Sequence, residues 1–131
     1  MATRRQVRQS VISLLYAQDF NAINADFIAE FLELKKVRNE QKAFALALYE
    51  GVGANLSALD ELLKKSLKEF DRLSKVECAI LRLSVYELFY TQTDKAVIIN
   101  EAIELGKQMG NDNSSKLINA VLDSLLKKKG V

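Results

Sequence analysis

The residues best suited to binding chemistry in this sequence are three arginines close to its N-terminus. Arg4, Arg5 and Arg8 lie at or just inside the start of a predicted helix, where the helix dipole disfavours positive charge. A sequence selected for stability alone would carry Asp or Glu there. Guanidinium groups pair well with phosphate, so the cluster predicts an arm that binds phosphate groups. A solvated helix end is the alternative, and composition alone does not decide between the two.

The residue types that the chain lacks argue against catalysis. There is no histidine, and there is only one cysteine, so the commonest general base and the ligands of a structural zinc site are missing. The sequence contains no P-loop, GxGxxG or GxSxG motif. Catalysis by carboxylates alone stays formally open, although the acidic residues mostly stand singly at helical surface spacing. We therefore expect no catalytic residue, no metal site and no cofactor.

Length and composition are typical of one globular domain. The chain has 131 residues, of which 49% are hydrophobic and 27% are charged, and we expect a single domain over residues 1–131. No stretch approaches the roughly 20 apolar residues that a membrane span needs. The N-terminus lacks the apolar run of a signal peptide, and the lone Cys78 cannot form an internal disulfide. These features predict a cytoplasmic protein without a membrane partner.

The elements that position these residues are predicted to be helices throughout. The chain has no proline and only five glycines, which favours an all-α fold. A bend is expected at Gly51 and Gly53, where the backbone is least restricted. The apolar spacing predicts helices over about residues 3–20, 25–34, 37–70, 74–91 and 97–109, and a last helix, after a loop at residues 111–114, that includes residues 117–126.

The helix predicted over residues 74–91 is apolar on two faces, so we expect it to be packed on both sides at the centre of the fold. Leu81 and Val85 lie on its second apolar face and should be almost fully buried. Arg82 lies on the same helix and needs a partner if it is buried. Glu101 on the following helix is the expected partner, and exposure of the guanidinium to solvent is the alternative.

Charge is distributed unevenly along the chain. The first 19 residues carry three arginines against one aspartate, and residues 107–131 carry five lysines against two aspartates, including the tail Lys127-Lys128-Lys129. The stretch between them has 11 basic and 14 acidic residues. The basic ends and the acidic middle therefore favour different partners. If the first and last helices pack side by side, Lys116 joins the arginines in one basic patch.

Several runs of residues resemble the NusB transcription antitermination family. Residues 76–88, VECAILRLSVYEL, resemble the family's ExAILRLAxYEL helix. Residues 99–107, INEAIELGK, are similar to its INEAIELAK, and residues 115–123, SKLINAVLD, to its xKFVNGVLD, in the same order and spacing. The opening, with the three arginines followed by Leu15-Tyr16, resembles the family's R-R-x-x-R … L-Y. The resemblance thus spans nearly the whole chain.

The resemblance implies a NusB-like fold, in which two small helical bundles pack across each other. It implies a non-enzymatic factor of transcription antitermination on ribosomal RNA operons, acting within the RNA polymerase antitermination complex. Such a factor binds the boxA element of nascent RNA jointly with the ribosomal protein NusE. Glu77 is the candidate contact for that protein partner. The residues implied for RNA binding are Arg4, Arg5, Arg8, Tyr16, Asn113, Ser114 and Lys116.

The sequence also departs from the family's pattern, and two other functions stay open. Leu117 stands where many members have phenylalanine, which removes one possible platform for base stacking. Gly106 stands where the family's pattern has alanine, and Ala120 stands where it has glycine. Helices could approach closely at both positions. The first alternative function is a protein-interaction scaffold that does not bind RNA. The second is a free-standing NusB-like domain that is accessory to a ribosomal RNA methyltransferase.

Overall fold

A computed structural model describes residues 2–128 of the chain, and every element of regular secondary structure in that range is a helix. The all-α class predicted from the sequence is therefore confirmed. Lys129, the last residue of the predicted basic tail, lies outside the described residues. Over the same range no helix has both the length and the apolar character that crossing a bilayer requires. The helices are α1 Arg4–Phe20, α2 Ala25–Leu34, α3 Glu40–Ala54, α4 Leu56–Ser66, α5 Lys75–Tyr90, α6 Lys95–Met109 and α7 Ser114–Lys128, with a 3-10 turn at Phe70–Arg72.

Two of these helices begin at capping boxes, whose residue types can be read from the sequence. The Thr3 hydroxyl accepts the N–H of Gln6 at 3.1 Å, and the Gln6 side chain accepts the N–H of Thr3 at 2.8 Å. Ser74 and Glu77 make the same reciprocal pair at the start of α5. Because each box satisfies two backbone donors that no helical carbonyl can reach, it sets the residue at which its helix begins.

Helix α5 is the centre of the fold, as predicted. It packs against α1, α3, α4, α6 and α7, and Leu81 and Val85 are both 0% exposed. Helices α1 and α3 pack on one part of α5, and α4, α6 and α7 pack on the rest. This gives two small bundles that share α5, and one contiguous core contains buried residues from all seven helices.

The condition under which Lys116 would join the α1 arginines, side-by-side packing of the first and last helices, is not met. The main partners of α1 are α3 and α5, whereas α7 packs most extensively on α6 and also touches α4 and α5. The reason is that α7 buries Ile118, Leu122 and Leu125 against these neighbours. Lys116 is therefore not placed in one patch with the α1 arginines by direct contact between the two helices.

The predicted bend at Gly51 and Gly53 is also wrong. Helix α3 continues through both glycines, and the break falls at Asn55, which ends α3 and precedes α4. Gly51 serves close packing instead, because a Cβ at this position would overlap the ring of Tyr86 on α5. Nothing lies within 4 Å of a Cβ placed at Gly53.

Arg82 does have carboxylate partners, but Glu101 is not one of them. Its Nε and Nη2 donate to the two carboxylate oxygens of Asp60 on α4 at 2.8 and 2.9 Å, and its Nη1 lies 3.3 Å from Asp19 near the end of α1. Glu101 instead accepts hydrogen bonds from Arg5. The predicted pairing was wrong because Arg82 projects from the face of α5 that meets α4, not the face that meets α6.

Candidate nucleic-acid interface

The polar face of α1 forms one wall of an open groove of about 580 Å³. Lys35 and Lys36, which directly follow α2, and Met109 at the end of α6 also line the groove. We call this feature the α1 groove. Its lining combines amide, hydroxyl and ammonium groups, which are the donors that contact phosphates and base edges of RNA. The lining residues are Ala2, Gln6, Gln9, Ser10, Ser13, Lys35, Lys36 and Met109.

Two aromatic side chains continue the same face of α1 beyond the groove. Tyr16 and Phe20 follow Gln9 and Ser13 at helical spacing, so the four residues share one face. The two rings are 4.9 Å apart, and the side chains are 38% and 56% exposed. Exposed rings of this kind are platforms on which unpaired bases stack. Phe20 was missed from the sequence, although its spacing of four residues from Tyr16 could have revealed it.

Arg4 and Arg5 have different surroundings, although they are adjacent in sequence. Arg4 is exposed, and its guanidinium carbon lies 4.1 Å from the ring centroid of Phe44. Arg5 makes a bidentate pair with Glu101, with Nε–Oε1 at 3.1 Å and Nη2–Oε2 at 2.6 Å. The hydrogen bond from Arg5 lowers the pKa of Glu101. Arg5 is thus largely neutralised, whereas Arg4 has no carboxylate partner among the described residues.

Arg8 is buried inside the protein. It is only 6% exposed, and its Nε and Nη2 each donate at 2.8 Å to the carboxylate of Glu87, which is 1% exposed. The guanidinium also lies 5.6 Å from the Phe44 ring centroid. Direct contact with RNA requires exposure that Arg8 does not have. Its hydrogen bonds join α1, which carries the groove, to the central helix α5.

The three residues predicted near the start of α7 also divide by exposure. Asn113 and Lys116 are exposed. Ser114 is 0% exposed; its hydroxyl donates to Glu77 at 2.7 Å and accepts the N–H of Asn111 at 2.9 Å. Ser114 therefore holds the loop between α6 and α7 in place and offers no surface to a ligand.

Glu77, the candidate for a protein contact, is 7% exposed, and both of its carboxylate oxygens accept internal hydrogen bonds. One oxygen accepts the N–H of Ser74 at 3.0 Å and the other accepts the Ser114 hydroxyl at 2.7 Å. Burial raises the pKa of Glu77, but the hydrogen bonds from Ser114 and Ser74 outweigh it, so that the pKa is lowered. Glu77 is ionised at neutral pH and fastens the loop to the start of α5.

The structure therefore brings together part of the predicted set and adds residues to it. Arg4, Arg5 and Tyr16 lie on α1. Met109 is part of the groove wall, and the loop that carries Asn113 begins directly after it. The Cα of Asn113 therefore lies within about 15 Å of the Met109 Cα. Lys35 and Lys36 were missed, because lysines between two helices look like a solvated connection. The abrupt change from the acidic residues of α2 to this basic run was the signal available.

Fold and groove together define a small helical binding protein with an exposed surface suited to nucleic acid. The model of the NusB family matches residues 5–127. The protein described as Transcription antitermination protein NusB from Campylobacter lari is 55% identical over 130 residues, covering 98% of this chain and 98% of that protein. The protein of the same description from Campylobacter jejuni subsp. jejuni is 56% identical over 131 residues, covering 98% and 99%.

A solved structure agrees in fold with these sequence matches. It is described as the crystal structure of antitermination factors NusB and NusE in complex with dsRNA. Its matching chain is 26% identical with a TM-score of 0.86, over 95% of this chain and 96% of that one. The chain belongs to the NusB family.

Proposed function

We propose that this protein is a transcription antitermination factor that binds boxA-type RNA of nascent ribosomal transcripts together with a NusE-type ribosomal protein. The observation that carries the proposal is the α1 groove, which is lined by amides and lysines and continues into an exposed aromatic pair. Support comes also from the names of the relatives and from the solved complex of a family member with NusE and dsRNA. In this proposal the chain acts as one domain, in the cytoplasm, by binding and not by catalysis.

The groups of the surface suit different parts of an RNA strand. Arg4, Lys35 and Lys36 would hold phosphates, which positions the strand without reading its sequence. Tyr16 and Phe20 would stack unpaired bases, the usual mode of recognition of single-stranded RNA. At position 117 this protein has leucine where many family members have phenylalanine. The Tyr16–Phe20 pair thus provides aromatic surface at another position.

The α6–α7 loop and the start of α7 would complete the RNA surface. Asn113 supplies an exposed amide, and Lys116 supplies an exposed ammonium group. Glu77 and Ser114 act on this surface indirectly, since they hold the loop from within the protein. The protein partner therefore needs a surface other than the Glu77 carboxylate.

The test is a fluorescence anisotropy titration of boxA-like RNA against a scrambled RNA, with and without the NusE-type protein. We expect the boxA-like strand to bind more tightly, the single-stranded form to bind better than its duplex, and the NusE-type protein to increase the affinity. Replacing Tyr16 and Phe20 with leucine should cost about 1–3 kcal/mol of binding for each base that stacks. Tyr90→Leu is the matched control, because Tyr90 is 45% exposed at the far end of α5.

The alternative functions give different results in the same experiment. A pure interaction scaffold would bind the NusE-type protein and show no RNA binding at any salt concentration. Equal binding of boxA-like and scrambled RNA would contradict a boxA-specific role. Equal losses in the Tyr90 variant and in the Tyr16–Phe20 variant would contradict the assignment of the α1 aromatic pair.

A further inference from the structure

A second groove of about 690 Å³ adjoins the α1 groove. The residues that line it come from the start of α1, the connection between α2 and α3, and the start of α3. We call it the α3 groove. Lys36 lines both grooves, so the two meet at this residue. The lining residues of the α3 groove are Arg4, Lys36, Arg38, Asn39, Glu40 and Gln41.

We propose that the α3 groove binds the sugar–phosphate backbone of the same RNA strand, beyond the segment held in the α1 groove. Arg4, Lys36 and Arg38 are the residues that would contact the phosphates. The inference rests on the proposed function, and it extends the RNA path over the α2–α3 connection.

The availability of positive charge is the first argument. Arg5 and Arg8 are held in bidentate pairs with Glu101 and Glu87. Lys36, by contrast, has no ion-pair partner within residues 2–128. Arg4, Lys35 and Lys36, which line the two grooves, have no carboxylate partner within residues 2–128.

Arg38 can also exchange its present partner for a phosphate. Its Nη2 lies 2.8 Å from Glu33 Oε1, and the two side chains are 53% and 64% exposed. An ion pair this exposed contributes little stability, typically below about 1 kcal/mol. Glu40 is the acidic residue in the groove lining, and it faces three cations there.

The walls of the α3 groove are held in place before any ligand arrives. The Gln41 side chain donates a hydrogen bond to the carbonyl of Ala2, which joins α3 to the start of the chain. Arg4 is held over the ring of Phe44 on α3 at 4.1 Å. Among the residues that the structure describes, no aromatic side chain lines the groove itself, so these residues offer no stacking surface. The groove should therefore bind backbone phosphates without regard to base sequence.

The experiment compares the variant Lys36→Gln with Arg38→Gln in the full chain against a matched control, Lys68→Gln with Arg72→Gln. In the control Lys68 is exposed, and Arg72 makes a similarly exposed pair with Glu69 at 3.7 Å. Both variants are titrated with a minimal boxA-like strand and with the same strand extended by unrelated nucleotides on each side. Circular dichroism and thermal unfolding are used to check that both variants are folded.

We expect the Lys36–Arg38 variant to lose affinity for the extended strand and to have a shallower salt dependence. If two phosphate contacts are lost on a single strand, the slope of log K against log salt concentration changes by about 1.4. The ratio of the affinities at 0.1 M and 1 M salt then falls roughly 25-fold. The loss should be smaller for the minimal strand and should not depend on the flanking sequence. The control variant should bind like the wild type.

Three outcomes would overturn the inference. If the wild type binds boxA-like RNA and the Lys36–Arg38 variant binds the extended strand with the same affinity and salt slope, this inference is overturned and the proposed function is not. No RNA binding by the wild type would overturn the proposed function as well. Intact RNA binding with loss of binding to the NusE-type protein would assign the groove to an acidic protein segment instead.

Discussion

Arg8→Ala should lower the free energy of unfolding far more than the same substitution at an exposed arginine would. Arg8 and Glu87 are 6% and 1% exposed, and two hydrogen bonds of 2.8 Å join them. The substitution leaves the Glu87 carboxyl group buried without the two hydrogen bonds from Arg8. Breaking a buried pair in this way typically costs about 3–5 kcal/mol. This is a large part of the roughly 5–15 kcal/mol by which a domain is usually stable.

The double variant Arg8→Met with Glu87→Leu separates the cost of an unpaired charge from the cost of altered packing. Because it removes both charges and keeps similar volume, we expect its stability to lie within about 1 kcal/mol of the wild type or above it. Urea unfolding followed by circular dichroism at pH 7 gives the free energy of unfolding by linear extrapolation. Arg5→Ala is the control, and its loss should be much smaller because the Arg5 side chain is 39% exposed.

The same variants test whether Arg8 touches RNA. A folded Arg8–Glu87 double variant should bind RNA like the wild type, since Arg8 does not reach the α1 groove. A loss of RNA binding in that folded variant would refute the reasoning, as would an Arg8→Ala cost below about 1 kcal/mol. Removing Arg5 and Arg8 together does not test the arm by itself, because the unpaired Glu87 would also lower the stability of the fold.

Packing and acid stability provide two further predictions. Gly51→Ala should cost about 1–3 kcal/mol, because the added methyl group would overlap Tyr86, whereas Gly53→Ala should raise stability by up to about 1 kcal/mol through helix propensity. Thermal unfolding of both variants checks this, and equal effects would contradict it. The pKa of Glu101 is lowered from 4.5 by its hydrogen bond from Arg5, so the stability it contributes is present above pH 4.5 and is lost as the pH falls through the lowered pKa. Glu101→Gln should therefore show a shallower loss of stability below pH 4.5 in urea unfolding at a series of pH values, and parallel curves for the two proteins would contradict this.

The helices were predictable from the sequence because their signals are local. Apolar spacing and caps gave α2 its observed bounds and placed the ends of α1 and α5 within one residue of those observed. The partner of Arg82 and the role of Gly51 were not predictable in the same way. Both depend on how each helix is rotated about its axis when it packs, and the spacing within one helix does not contain that information.

The residues of the candidate site also differ in how far a single sequence indicates them. Tyr16 was implied by the resemblance to the NusB family, whereas Arg4 was also indicated by the unfavourable placement of positive charge at a helix start. Arg8 and Ser114 are polar residues whose partners lie 79 and 37 positions away in the chain. A single sequence does not separate such buried polar pairs from surface residues, since both occur between apolar positions at helical spacing.

The hydrogen bonds of Ser114 have a consequence for the thermodynamics of RNA binding. Because the loop is already fastened to Glu77 and Asn111, Asn113 loses little conformational entropy when a ligand arrives. Ser114→Ala would leave every exposed contact in place and yet weaken binding, since the freed loop must be ordered at the moment of association. In calorimetry such a change would appear as a less favourable binding entropy at nearly constant enthalpy. In the proposed RNA surface, the Ser114 hydroxyl would thus contribute to the affinity although it is 0% exposed.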